Sequence, residues 1–403
     1  MRIGISTSVI QRGKSGVGQY VLSLVRALLP SAERHEFTLF VMEEDLPLFD
    51  FVGDKMRIVP VEEKHRPAVR NILWHQLTLP TLAKHLGLDV LHVPSYRRML
   101  WRKPCALVAT IHDLAPFRLP GKYDLLRMFY GRVVVRQLAH RQDEIVTVSA
   151  DTGHDVERYF KVPRPRLSVV HNGVDHTRFK PGNREEALRT IRQRHDLRAP
   201  FFIYVSRLEH PAKNHARLIE AFNRMKSASP SPWQLVLAGS DWHGAEVIHD
   251  LVKRSPFASD IRVLGFVPAA DLPMWYHAAT VSVYPSLFEG FGLPPLEAMA
   301  CGCPVLASRI GAVGEVCGEA AALTDPTDVD DLAWQLNRIA HDEALRARLR
   351  AAGLAHVRQY DWANSASGVL DAYARALARH AARAHLAAEE IATPPPDRPA
   401  AAS

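Results

Sequence analysis

Short apolar runs alternate with longer amphipathic stretches along almost the whole chain. Arg2–Ser6, Glu36–Met42, Val90–Val93, Ala106–Ile111 and Glu144–Val148 are runs of strand length, and Val169–His171 adds a shorter one. Helix-length segments lie between them, the clearest being the amphipathic Gly18–Leu29. The alternation continues after the helical stretch Arg184–His195, through Phe201–Val205, Gln234–Ala238, Ile261–Leu264, Val281–Tyr284 and Pro304–Ala307. Strands that alternate with helices in this way imply parallel sheets covered on both faces. Two such blocks of similar size predict an α/β architecture of two doubly wound, Rossmann-like domains with a cleft between them. The first block closes at His171-Asn-Gly-Val-Asp175, where Asn-Gly is a turn signal. Asp331–Arg379 is helical in pattern except near Tyr360-Asp-Trp362, and the Pro/Ala-rich end from Pro394 is expected to be disordered.

Composition narrows the class without changing that picture. With 47% hydrophobic and 23% charged residues in 403, the chain is globular. It has no apolar run of 18 residues, and Met1-Arg-Ile-Gly-Ile-Ser-Thr reads as a strand, not a secretory signal, so a cytoplasmic location is expected. Cys105, Cys301, Cys303 and Cys317 lack zinc-site spacing and are expected to be reduced thiols. The net charge of +7 divides into +9 over residues 1–180 and −2 over the rest. A basic half faces an anionic partner or is simply a solvated surface. No nucleic-acid module is evident, so a nucleic-acid partner is not expected; peripheral contact with an anionic membrane is.

The chemistry concentrates in Pro285-Ser-Leu-Phe-Glu289-Gly-Phe-Gly-Leu-Pro-Pro-Leu-Glu297. A strand leads into a glycine loop at Gly290 and Gly292, and Pro294-Pro295 suit the first turn of a helix. Such a helix start presents free N–H groups and a positive dipole end to an anion. Glu289 and Glu297 flank this anion site and would be repelled by phosphate, so they are better suited to accept hydrogen bonds from sugar hydroxyls; two solvated acids are the alternative. Arg207 and Lys213 follow the first strand of the second block, and two cations on one strand-to-helix loop suit a diphosphate. His112-Asp113 ends a strand at the sheet's carboxyl edge, either as a base with an orienting carboxylate or as a structural histidine. Gly16-Val-Gly18 opens the first helix, where such folds place phosphate-binding glycines. Gly13-Lys-Ser15 fails as a P-loop because Ser8 stands where that motif needs glycine. Asp328-Val-Asp330 fits an acidic helix start better than a metal site.

Taken in order, Gly16-Val-Gly18-Gln-Tyr20, Thr110-Ile-His112-Asp113, His171–Asp175, Ser206-Arg207 through Lys213-Asn214, Leu235–Gly239, Val263–Val267 and the Glu-x7-Glu block resemble the GT-B retaining glycosyltransferases of group 1, family 4. The resemblance spans about residues 1–375. It implies domains at 1–180, on the acceptor side, and 181–362, on the nucleotide-sugar side, with a helix over 363–385 packing back on the first domain and a disordered tail over 386–403. It implies that Arg207, Lys213 and the N–H groups of Phe291, Gly292 and Leu293 hold the donor diphosphate beside Gly290. Glu289 would bind the transferred sugar and Glu297 the ribose, with the base near Phe266 and Val267. Gly16 and Gly18 would let the first loop approach phosphate and acceptor, and His112 would steady an oxocarbenium-like transition state. The implied function moves a hexose such as mannose or glucose from a nucleotide-diphospho-sugar to a glycan or lipid-linked acceptor in surface polysaccharide synthesis, with no metal or other cofactor. A GT-B nucleotide-sugar epimerase and a non-catalytic binding subunit are the alternatives. Arg98–Trp101 with Arg102-Lys103 departs from the common pattern, in a variable region where contact with the acceptor is expected.

Overall fold

The apolar runs assemble into two parallel sheets, as their pattern requires. A computed structural model describes residues 1–392 except 14, 119–129, 196, 198–199 and 230. The first sheet contains β1 (Arg2–Ser6), β2 (Glu36–Met42), β3 (Arg57–Val61), β4 (Val90–Val93), β5 (Ala106–Ile111), β6 (Glu144–Thr147) and β7 (Leu167–Val169). Their order is β3-β2-β1-β4-β5-β6-β7. The second contains β8 (Phe201–Val205), β9 (Gln234–Ala238), β10 (Ile261–Gly265), β11 (Val281–Tyr284), β12 (Val305–Ser308) and β13 (Ala322–Thr324), ordered β10-β9-β8-β11-β12-β13. Each pairing is parallel.

In both sheets the strand order reverses beside the first strand, between β1 and β4 and between β8 and β11. Loops leaving the carboxyl ends there diverge and open a crevice for ligand. In the second domain those loops are Ser206–Asn214 and Pro285–Gly292, the two segments carrying Arg207, Lys213 and Glu289. Topology alone therefore gathers them.

The helices start where their caps dictate. Ser15 accepts the Gly18 N–H at 3.0 Å and begins α1 (Gly16–Leu28). Asp328 accepts from the N–H groups of Asp330 and Asp331 at 2.9 and 3.1 Å, the helix-capping arrangement expected of the Asp-Val-Asp segment. The helix Trp362–Ala392 leaves the second domain and lies against α1, β5 and β6 of the first. Arg379 and Arg375 on it meet the fully buried Glu144, and Arg383 meets the fully buried Asp143 at 3.2 Å. This helix continues through residues 386–392, which the resemblance assigns to the tail, and the remainder of that expected tail, 393–403, lies outside the described residues. All four cysteines are buried free thiols. Among the described residues no helix is long and apolar enough to cross a membrane.

Candidate active site

After β11 the chain turns at Gly292, whose φ of 108° suits glycine, into the helix Leu293–Ala300. The N–H groups of Phe291, Gly292 and Leu293 find no acceptor among the described residues, which leaves a cluster of donors at the helix start. Just ahead of them, Glu289 is held from three sides. Tyr284 and Ser286 hydroxyls donate to its Oε1 at 2.9 and 2.8 Å, and Lys213 Nζ reaches both carboxylate oxygens at 2.7 and 2.8 Å. Both members of the ion pair are only 14% exposed. The resemblance implies separate duties for Lys213 and Glu289; in this structure the two satisfy each other.

Arg207 lies elsewhere on its loop. Its guanidinium sits 4.7 Å from the centre of the Trp242 ring and 3.5 Å from the buried Glu209, and it does not contact Glu289. Trp242 is exposed and went unnoticed in the sequence, where a single aromatic after β9 carries no motif. Phe266, 74% exposed, follows β10 with Val267. Burial raises the Glu297 carboxyl to about 7, against the pull of Arg178 and the Tyr276 hydroxyl. Near neutral pH it is thus part protonated, able both to donate to and accept from hydroxyls. Arg178 was also missed; it lies three residues beyond the recognised Asn-Gly turn segment.

His112 follows β5. Its Nε2 lies 3.2 Å from the Pro94 carbonyl, which can only accept, so Nε2 carries the hydrogen. Burial lowers its pKa to about 4, leaving a neutral ring whose Nδ1 lone pair is available. Asp113, weighed as an orienting carboxylate, instead accepts the Ala115 N–H at 2.9 Å. Orientation comes from Tyr20, packed edge-on at 4.6 Å. The Tyr20 hydroxyl meets Thr110, Thr110 meets His92, and His92 meets Tyr373 of the C-terminal helix, at 3.3, 2.8 and 2.8 Å.

The two domains touch at this point. The Gly290 carbonyl accepts from Ser149 and Thr152 hydroxyls at 2.8 and 3.3 Å. A Cβ on Gly290 would stand 1.9 Å from the His112 carbonyl oxygen, so only glycine permits the approach. Nearby, Glu315 accepts from the N–H groups of Ala150 and Asp151 and lies 3.0 Å from His171 Nε2. The structure therefore brings His112, Gly290, Glu289 and Lys213 into one neighbourhood. Of the N-terminal glycines, Gly16 is exposed with open space around it. Gly18 is buried, and a Cβ there would meet the Ile10 carbonyl at 2.4 Å, so its place is explained by packing.

Two family models divide the chain. One, Glycosyltransferase Family 4, matches residues 14–178, and the other, Glycosyl transferases group 1, matches residues 186–356. The O-antigen chain mannosyltransferase B of Escherichia coli is 29% identical over 392 residues, covering 93% of this chain and 99% of that protein. The MMP alpha-(1->4)-mannosyltransferase of Mycolicibacterium hassiacum is 32% identical, covering 68% of this chain and 67% of its own length. The crystal structure of Anabaena HepE in complex with UDP and glucose has the same fold, with a TM-score of 0.72 at 19% identity over 92% of this chain and 98% of that one.

Proposed function

Since the chain belongs to the group 1 glycosyltransferases of GT-B fold, we propose that it transfers mannose, with retention at the anomeric carbon, from a nucleotide-diphospho-sugar to a glycan or lipid-linked acceptor of a surface polysaccharide. The observation that carries the reading is the Lys213–Glu289 pair beside unpartnered helix N–H groups, placed against His112. Mannose is favoured because both relatives above are named as mannosyltransferases.

In this reading the donor enters by exchanging partners. Lys213 leaves Glu289 for the diphosphate, and Glu289 takes hydroxyls of the transferred sugar while Tyr284 and Ser286 keep it in place. Breaking the anomeric bond puts negative charge on the leaving phosphate, where Lys213, Arg207 and the helix N–H groups stabilise it. Neutral His112 faces the developing positive charge on the sugar. The leaving phosphate accepts the proton of the incoming hydroxyl on the same face. Because protein groups supply the counter-charge, no metal is needed, and EDTA should leave the rate unchanged.

A thermal-shift screen of UDP-, GDP- and ADP-sugars tests the donor assignment. The true donor at a hundredfold excess over its Kd should stabilise the protein by about 2.7 kcal/mol. If none of these sugars shifts the transition or is slowly hydrolysed, the reading fails. Glu289→Gln should lower kcat about tenfold or more by loosening the sugar, and wild-type turnover in that variant would remove the clamp role.

Contact with the cytoplasmic face of an anionic membrane belongs to the same proposal. It is supported by the +9 balance of residues 1–180 and by exposed Val69, Leu73 and Leu77 on one face of α2 (Ala68–His85), with Trp101 also exposed. Phosphatidylglycerol vesicles should sediment the protein at low salt and release it at high salt; indifference to vesicles would overturn it.

A further inference from the structure

A cavity of about 550 Å³ lies entirely in the first domain, with His112 on its wall. That volume is in the range of small-molecule pockets. Its charge is one-sided: Arg12, Arg66, Arg97 and Arg98 line it against a single carboxylate, Asp113, already engaged by the Ala115 N–H. Arg12 is paired with Glu44, and Arg66 with Glu63 at 2.6 Å and Asp45 at 3.2 Å.

Arg98 is held differently. Its Nε donates to Asn71 Oδ1 at 2.5 Å and a terminal nitrogen donates to the Arg97 carbonyl at 3.3 Å, but it forms no ion pair with a carboxylate among the described residues. It is half-buried, and burial presses most against its charge, with the Tyr130 hydroxyl acting the other way and Arg97 adding to the pressure. Asn71, 2% exposed, also lines the cavity, and its buried Nδ2 has no acceptor. A cation without a counter-ion thus sits beside a donor without an acceptor. Both are costly in a buried wall unless a ligand completes them, and one anion with several oxygens does so.

We propose that this cavity selects an acceptor carrying a phosphate or diphosphate, which Arg98 and Asn71 grip while the sugar hydroxyl to be glycosylated faces His112. The inference rests on the glycosyltransferase reading above and names the class of its second substrate. The phosphate of the acceptor changes no bonds; it fixes which end of the sugar enters. A soluble sugar phosphate and the diphosphate end of a lipid-linked sugar share this chemistry.

Calorimetry with three probes tests it: methyl α-mannoside, α-mannose 1-phosphate and an alkyl-diphospho-mannose. The wild-type protein should bind mannose 1-phosphate about tenfold or more tightly than the neutral mannoside. Arg98→Gln and Asn71→Asp should each erase that preference, Arg98→Lys should restore part of it, and Lys213→Ala, in the other domain, should keep it. A further gain for the alkyl diphosphate identifies a lipid-linked source, and equal affinity a soluble one. No preference in the wild type overturns the proposal, as does a preference lost in Lys213→Ala but kept in both Arg98→Gln and Asn71→Asp. Failure of the underlying reading looks different: UDP, GDP and ADP bind no variant, while the sugar phosphate still depends on Arg98.

Discussion

Lys213→Ala should lower kcat by about 10²–10³, the scale on which one well-placed donor to a developing anion acts. The lysine is largely buried and is kept at the donor site by Glu289 until the diphosphate takes it over, so its charge is poorly replaced by water. Removing it also leaves the Glu289 carboxylate with only the Tyr284 and Ser286 hydroxyls, at a stability cost of about 1–3 kcal/mol. The kinetic and structural effects separate by experiment. The thermal midpoint should fall by a few degrees while the rate collapses at temperatures where the variant is folded. Lys213→Arg keeps the charge and should recover part of the rate. A Lys213→Ala enzyme retaining more than about a tenth of kcat would take Lys213 out of the leaving-group role.

The second large effect concerns acid. Burial pushes His75, His92 and His215 down to about 3 and His112 to about 4. Each folded value lies below the ordinary imidazole value of 6.5, so the unfolded chain binds the extra protons. The stability these groups contribute is therefore complete above pH 6.5 and is lost as pH falls below it, until the folded groups titrate near 3 to 4. At pH 5 each of the three fully buried rings has cost about 2 kcal/mol, about 6 together, against a typical total of 5–15. His112, only partly screened from solvent, adds less. Glu297 runs the other way: its folded value is raised, so its contribution is present below the ordinary carboxylate range and lost as pH rises through about 7, and on acidification it offsets roughly one imidazole. Urea midpoints should drop steeply from pH 7 to 5 with net proton uptake on unfolding, and His92→Gln should flatten the slope by about one proton. A midpoint that holds level across that interval would contradict the buried, neutral state of these rings.

Most strands were readable because each is a short run dominated by buried apolar residues, as in β1, β2, β4, β5 and β6 and in β8 through β12. Two edge strands were not. β3 is Arg-Ile-Val-Pro-Val, and an edge strand tolerates both the proline and a half-exposed face; β13 has three residues, too few for a pattern. Site residues were legible where they sit in one loop, as in the Glu289–Glu297 block. Partners that meet only through strand order were not. Lys213 and Glu289 are 76 positions apart and become neighbours because β8 and β11 are adjacent. The arginines of the cavity come from three separate segments, and only Arg98, within a conspicuous basic and aromatic run, attracted notice.

The seam at Gly290 has a kinetic meaning. Its carbonyl is gripped by two neutral hydroxyls, from Ser149 and Thr152, each worth about 1 kcal/mol net. Beside them the Glu315 carboxylate holds the N–H groups of Ala150 and Asp151 and the His171 ring, a charged grip across the same seam. Parting the halves after each transfer therefore breaks a few modest bonds and returns one carboxylate to water. Turnover gated by such a clasp should respond to ionic strength as well as to solvent viscosity.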